Sequence, residues 1–284
     1  MKIATKLSML FVSSLMLLAA FTPALALASP IMAPTMNMVN SLNGTVYSTN
    51  WSGYAVLGSS VASASGSWKV PTVTGSNGQY AAFWVGIDGY NSATVEQTGV
   101  LAQVTGNRRT STTTYYAWYE FYPLESIIEI TTATSTKTET STPATVKPGD
   151  TISATVAYVS GTTFTLTIND ITEGWTFTTT GSQSGAQDSS AEWIVEAPSS
   201  NFGVLPLANF GTSYFGTGYT SVSSTCYATI GGVSGAIGSF ASVEQINMVT
   251  NRGTLKDSTS ALTSGGTSFS VTWDSSGSGF FGGF

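Results

Sequence analysis

From about residue 47 to residue 273 the chain alternates between short apolar runs and clusters of Gly, Pro, Asn or Ser. The runs are SGYAVL, SGSWKVPTV, YAAFWVGI, YYAWYEFY, SIIEITT, DTISATVAYV, TFTLTIND, GWTFTTT, AEWIVEA, VEQINMV and SFSVTW. An amphipathic helical rhythm is almost absent. Many short strands separated by turns predict an all-β protein, an antiparallel sandwich or barrel. Residues 147–150 (KPGD) and 170–174 (DITEG) have the composition of hairpin turns. The Thr-rich stretch 131–145, with Pro143 inside it, reads as a long surface hairpin or loop. Residues 29–45 are punctuated by Met and Pro and have no period, so they read as an exposed leader or a short pro-segment. At the other end, 275–284 reads as a flexible tail. One sandwich domain, 46–274, remains, a length that all-β units reach with a single core.

Side chains of a strand alternate between its faces, so residues two apart stand on one side about 6.8 Å from each other. In AWYEFYP this puts Trp118, Glu120 and Tyr122 together, opposite Ala117, Tyr119 and Phe121. In AFWVGIDG, Trp84, Gly86 and Asp88 oppose Phe83, Val85 and Ile87. Val95, Gln97 and Gly99 share a side, as do Glu192, Ile194 and Glu196, with Trp193 and Val195 behind the latter. Four segments thus repeat one arrangement: an apolar side, and a second side that mixes tryptophan, tyrosine, carboxyl and amide. Such a face suits a substrate groove, in which aromatic walls supply area and a few polar groups supply chemistry. Within this frame Glu96 reads as a surface charge, Glu196 as a solvated residue at the strand's rim, and Cys226 as a small buried hydrophobe.

Composition narrows the chemistry. The chain has no histidine and one cysteine, which excludes His-dependent nucleophiles, His-ligated zinc, intrachain disulfides and CxxC metal sites. Carboxylates, amides, hydroxyls and a few lysines are left, and no cofactor is expected. Only 8% of the residues are charged, against about 25% in an ordinary domain. A surface of Ser, Thr, Asn and Gly stays hydrated in acid without relying on ionised carboxylates. The formal charge of -6 leaves no basic patch for nucleic acid. The first 28 residues read as an export signal: Lys2 and Lys6, the apolar LSMLFVSSLMLLAAF, then Ala26-Leu27-Ala28 before Ser29. A secreted, monomeric protein without a membrane span is the expectation once that segment is removed.

NWSGYAV (50–56), WVGIDGY (84–90), VEQTGV (95–100), AWYEFYP (117–123) and AEWIVE (191–196), followed by PLANFG (206–211) and EQINM (244–248), occur in an order that resembles the glutamic peptidases, the eqolisin family of secreted acid endopeptidases. The likeness runs from about Asn50 to Trp273. It implies a sandwich of two curved antiparallel sheets, concanavalin-like or jelly-roll in type, with the active site on the concave face. It also implies protein and peptide substrates and a catalytic pair in which Gln97 and Glu192 match the family's glutamine and glutamate; insensitivity to pepstatin is expected because the chain has no Asp-Thr-Gly or Asp-Ser-Gly motif. The matching groove positions are Asn50, Trp51, Trp84, Asp88, Trp118, Glu120 and Tyr122. The chain differs from the fungal pattern in its single cysteine, in Tyr116 at an acidic position, and in a longer Thr-rich insertion.

On that resemblance Glu192 is the general base and then acid, with a reference pKa of about 4.3 near an acidic working pH. Gln97 cannot titrate, so its part is electrostatic: its carbonyl holds the attacking water and its NH2 donates to the developing oxyanion. Two other classes keep standing on the residues alone. A jelly-roll glycosidase would pair Glu120 with Glu192, and a lectin-like module would need only the aromatic residues.

Overall fold

A computed structural model describes residues 29–42, 44–107 and 109–277. The export signal and residues 278–284 of the expected tail lie outside the described residues. The first elements in chain order are β1 (Met38–Leu42), β2 (Thr45–Ser48), β3 (Trp51–Leu57), β4 (Val61–Lys69), β5 (Tyr80–Ile87), β6 (Val95–Gly106) and β7 (Ser111–Tyr122). The middle of the chain contributes β8 (Ile128–Glu129), β9 (Thr132–Ser135), β10 (Ser141–Pro143), β11 (Thr151–Ser160), β12 (Thr163–Asp170) and β13 (Trp175–Ser182). The last part holds β14 (Ser190–Glu196), β15 (Ser199–Ser200), β16 (Gly203–Val204), β17 (Thr212–Gly216), β18 (Tyr227–Ile230), β19 (Val233–Ala236), β20 (Val243–Val249), β21 (Leu255–Thr259) and β22 (Ser268–Trp273). Two short helical turns, α-helical Thr217–Thr220 and 3-10 Ile237–Ser239, interrupt them among the described residues.

The strands form an antiparallel β-sandwich, as the alternation predicts. One layer runs β1-β2-β20-β3-β14-β5-β6-β7-β8, with β2 against β20 as its parallel pair. The other runs β22-β17-β4-β11-β12-β13-β9-β10, and β21 joins the layers by pairing with both β20 and β22. Strands β11 and β12 pack across β5 and β6.

Burial divides as the two faces require. Phe83, Val85, Ile87, Val100, Ala102, Trp193 and Val195 join Trp68, Ile152, Phe164 and Leu166 in the core between the layers. Trp51, Ala55, Ala82, Trp84, Val95, Leu101, Trp118 and Ile194 form a separate cluster on the far side of the first layer. The second cluster is the mixed face of the sequence; its tryptophans are buried, and Tyr122 at its edge is half-buried.

Turn chemistry fits its positions. The Asn107 carboxamide accepts from Arg109 N and Thr110 N where β6 returns as β7. Asp170 Oδ1 accepts from Thr172 N and Glu173 N in the β12–β13 hairpin. The 147–150 turn connects β10 to β11, strands that pair with different neighbours, so it is a corner rather than a hairpin. The Thr-rich stretch forms the β9–β10 hairpin, and SIIEITT contributes only the short β8 and the start of β9. Cys226 is free and buried. The largest departure concerns the leader. Ala33 and Met36 are buried and pack into the tryptophan cluster of the first layer. Polar backbone needs partners wherever it is buried, and here the groove's side chains supply them.

Candidate active site

The chemistry gathers in one cross-strand row. In register, Glu192 of β14 faces Gly86 of β5, Gly86 faces Gln97 of β6, and Gln97 faces Glu120 of β7. Residues directly opposite each other share a face of the sheet, so the row is carboxyl, bare backbone, amide, carboxyl. Gly86 opens the middle of it. A Cβ there would stand 2.9 Å from the Trp84 ring, 3.0 Å from the Glu96 carbonyl oxygen and 3.2 Å from the Gln97 Cβ. Only a glycine leaves space between Glu192 and Gln97 at this pitch.

Gln97 Nε2 donates to Glu120 Oε2 at 2.9 Å and to the backbone carbonyl of Ala33 at 2.5 Å. Glu120 Oε2 also accepts from Ala33 N at 3.0 Å. Gln97 Oε1, Glu120 Oε1 and both Glu192 oxygens are buried without a hydrogen-bond partner. Burial raises the Glu192 carboxyl well above the usual range; the Ser190 hydroxyl tempers the rise, and the charges of Asp88 and Glu96 add to it. Burial likewise raises Glu120, against the lowering influence of Ala33 N–H and the Gln97 amide. In the leader-filled groove, then, Glu192 holds its proton more tightly than the reference value used for the sequence.

Aromatic residues frame the row. Trp51 and Trp84 meet edge to face, 4.9 Å between ring centroids. Trp118 is buried beside Gln97's strand, and half-buried Tyr122 packs on the same cluster. Trp84 Nε1 donates to Glu196 Oε2 at 2.8 Å, and Asn50 Nδ2 reaches Glu196 Oε1 at 3.3 Å. Glu196 is therefore no solvated rim residue. Strand β14 continues through it, opposite Trp51 and Ala82, and burial with the Glu120 charge raises its pKa strongly, tempered by those two hydrogen bonds. Glu96 is likewise buried, not a surface charge.

Asp88 lies beyond the row at the end of β5, with φ 70. Its carboxylate accepts from Gln187 N at 2.6 Å, Asp188 N at 3.0 Å, and Ser189 N and Oγ at 2.8 and 2.7 Å. It ties down the segment that leads into β14. Sequence reading missed the leader's contacts altogether, because they are made through backbone atoms that carry no residue signature. The alternation had put Glu196 on the groove face, and that signal outweighs its closeness to the strand end. Two open hollows elsewhere, one lined by Asn77 and Arg109 and one by Phe121 and Thr180, carry no comparable constellation.

The fold and site define a two-layer β-sandwich with a buried amide–carboxyl row under a bound peptide segment of the same chain. Comparison with solved structures agrees on the fold: scytalido-glutamic peptidase, solved with a transition-state analogue inhibitor, superposes with a TM-score of 0.63, covering 80% of this chain and 98% of that one at 24% identity. Residues 49–273 match the family model described as the Peptidase A4 family, and the chain belongs to that family. Aspergillopepsin-2 of Aspergillus niger is 31% identical over 201 residues, 61% of this chain and 66% of that protein. Scytalidopepsin B of Scytalidium lignicola is 32% identical over 149 residues, 52% of this chain and 50% of that protein. The matched parts thus span under two thirds of these relatives' lengths.

Proposed function

We propose that the protein is a secreted acid endopeptidase that hydrolyses peptide bonds with water activated between Glu192 and Gln97, without metal or covalent intermediate. The observation that carries this reading is the Gln97 amide donating to a peptide carbonyl, that of Ala33, at 2.5 Å. An oxyanion develops on such an oxygen when water attacks, and a preorganised donor there is worth about 2.7–4 kcal/mol in comparable sites.

Glu192, aligned with Gln97 across Gly86, takes a proton from the water and returns it to the leaving nitrogen. It acts as base in its ionised form, which hydration of the groove favours once the leader has left. Glu120 orients the Gln97 amide through the 2.9 Å hydrogen bond. Trp51, Trp84, Trp118 and Tyr122 wall the groove, and Asn50 binds substrate backbone. Asp88 acts at a distance, holding the 187–189 segment.

The glycosidase pairing gains nothing from this geometry. Glu120 and Glu192 stand three strand spacings apart, roughly 14 Å at the backbone, with Gln97 between them. Acidic casein digestion with and without pepstatin, by the parent and by Glu192→Gln, tests the proposal. Digestion that resists pepstatin and disappears in the variant is expected. Full activity in Glu192→Gln, or inhibition by pepstatin, would overturn it.

A further inference from the structure

The leader is held along its length in a way that mere packing does not need. Met32 exchanges two backbone hydrogen bonds with Ser199, at 2.9 and 2.8 Å, and the Ile31 carbonyl accepts from Ile127 N at 3.0 Å. Ala33 is gripped at both polar atoms by Glu120 and Gln97. Beyond it, Trp51 Nε1 donates to the Pro34 carbonyl at 3.1 Å, and Asn50 Nδ2 donates to the Thr35 carbonyl at 3.1 Å. Met36 N donates to the Gly89 carbonyl at 3.0 Å, and Asn37 N donates to Asn50 Oδ1 at 2.8 Å. A peptide held on both flanks, with one carbonyl on the row's amide and a bend at Thr35, lies as a substrate can.

We infer that residues 31–37 are a built-in, substrate-like occupant of the groove, with the Ala33–Pro34 bond at the reacting position and Pro34 keeping that bond uncut. The inference rests on the peptidase reading above. Proline's ring fixes its own φ and holds the preceding residue extended, so the leader enters the groove already shaped for it. The same ring puts a carbon where an ordinary peptide nitrogen carries its hydrogen. In a cleavable peptide the water oxygen bonds to the carbonyl carbon as the C–N bond breaks. The electron pair of that bond stays on the nitrogen, which takes the proton that Glu192 removed from the water. At Ala33–Pro34 the nitrogen is tertiary and its ring crowds the approach of that proton. The occupant is therefore lost through cuts elsewhere. Strand β1, which follows directly, offers exposed Met38, Val39 and Leu42 to a second molecule.

The test acidifies the purified full chain and follows new N-termini by mass spectrometry alongside casein digestion, in the parent, in Pro34→Ala, and in Pro34→Ala combined with Glu192→Gln. The parent yields no terminus at residue 34, and its casein digestion begins after a lag. Pro34→Ala yields a terminus at residue 34 and shortens the lag several-fold; the double variant yields neither. A synthetic peptide of residues 29–42 inhibits the activated enzyme and stays intact, whereas the same peptide carrying Pro34→Ala is cut after residue 33. This arm needs no folding of the variant chain. Cutting of the parent between residues 33 and 34 overturns the inference while leaving the peptidase reading in place. So does a Pro34→Ala peptide that survives an enzyme digesting casein. Absence of casein digestion and of any new terminus in every sample removes both.

Discussion

Glu96 lies between the two layers, in register with Ile87 and Phe121, and neither of its oxygens has a hydrogen-bond partner. Burial, reinforced by the charges of Asp88 and Asp188 and tempered by the Thr94 hydroxyl, pushes its pKa from 4.5 up to about 9. Between those values the folded chain keeps a proton that the unfolded chain releases. The contribution to stability is therefore complete below pH 4.5 and is lost as pH rises toward 9. Each pH unit costs about 1.4 kcal/mol, so the loss between pH 4.5 and neutrality is roughly 3 kcal/mol. For a sandwich of this size that is on the order of 6–12 °C in Tm. Glu96→Gln cannot titrate and abolishes this loss. The amide buries an extra N–H at a cost of about 1–3 kcal/mol, but that cost is the same at every pH, so the slope is the observable. Denaturant unfolding of parent and variant at pH 4 and pH 7 should show the difference between them shifting by roughly 3 kcal/mol in the variant's favour. Parallel pH dependences would refute the assignment of a protonated, buried Glu96.

Three further substitutions probe the groove and its frame. Gly86→Ala puts a Cβ within 2.9–3.2 Å of Trp84, Glu96 and Gln97; overpacking of this kind costs about 1–3 kcal/mol, and kcat should fall more than thermal unfolding alone explains. Trp84→Phe removes the 2.8 Å donor to Glu196 and leaves a buried carboxyl underpartnered, so Tm should drop by an amount equivalent to about 1–3 kcal/mol. Asp88→Ala frees the donors of Gln187, Asp188 and Ser189; hydrogen exchange should quicken first at those amides, and unchanged protection there would contradict the tether.

The face on which each residue stands was legible because strand alternation is a geometric rule indifferent to tertiary detail. Trp84, Gln97, Glu120 and Glu192 follow it, and so does Glu196. The errors concern depth. Glu96 and Glu196 look like surface charges because carboxyls are rarely buried without a partner, yet the sandwich covers one and the leader-filled groove the other. Low surface charge accords with this: one ion pair, Lys147–Glu173 at 3.0 Å, occurs among the described residues, and burial raises the carboxyls of Glu96, Glu120, Glu192 and Glu196. Those four groups each favour the folded state more as pH falls. The leader itself was illegible, since an aperiodic segment bound through its own amides and carbonyls looks the same as an exposed one until the surface beneath it is known.

Kinetics of casein or peptide hydrolysis by Gln97→Ala, Glu192→Gln and the double variant test the central claim most directly. If the amide and the carboxyl act on one water as a unit, each single change lowers kcat by about 10²-fold or more and the double is no slower than the worse single. Losses that multiply, or a folded single variant that retains parental kcat, would contradict it.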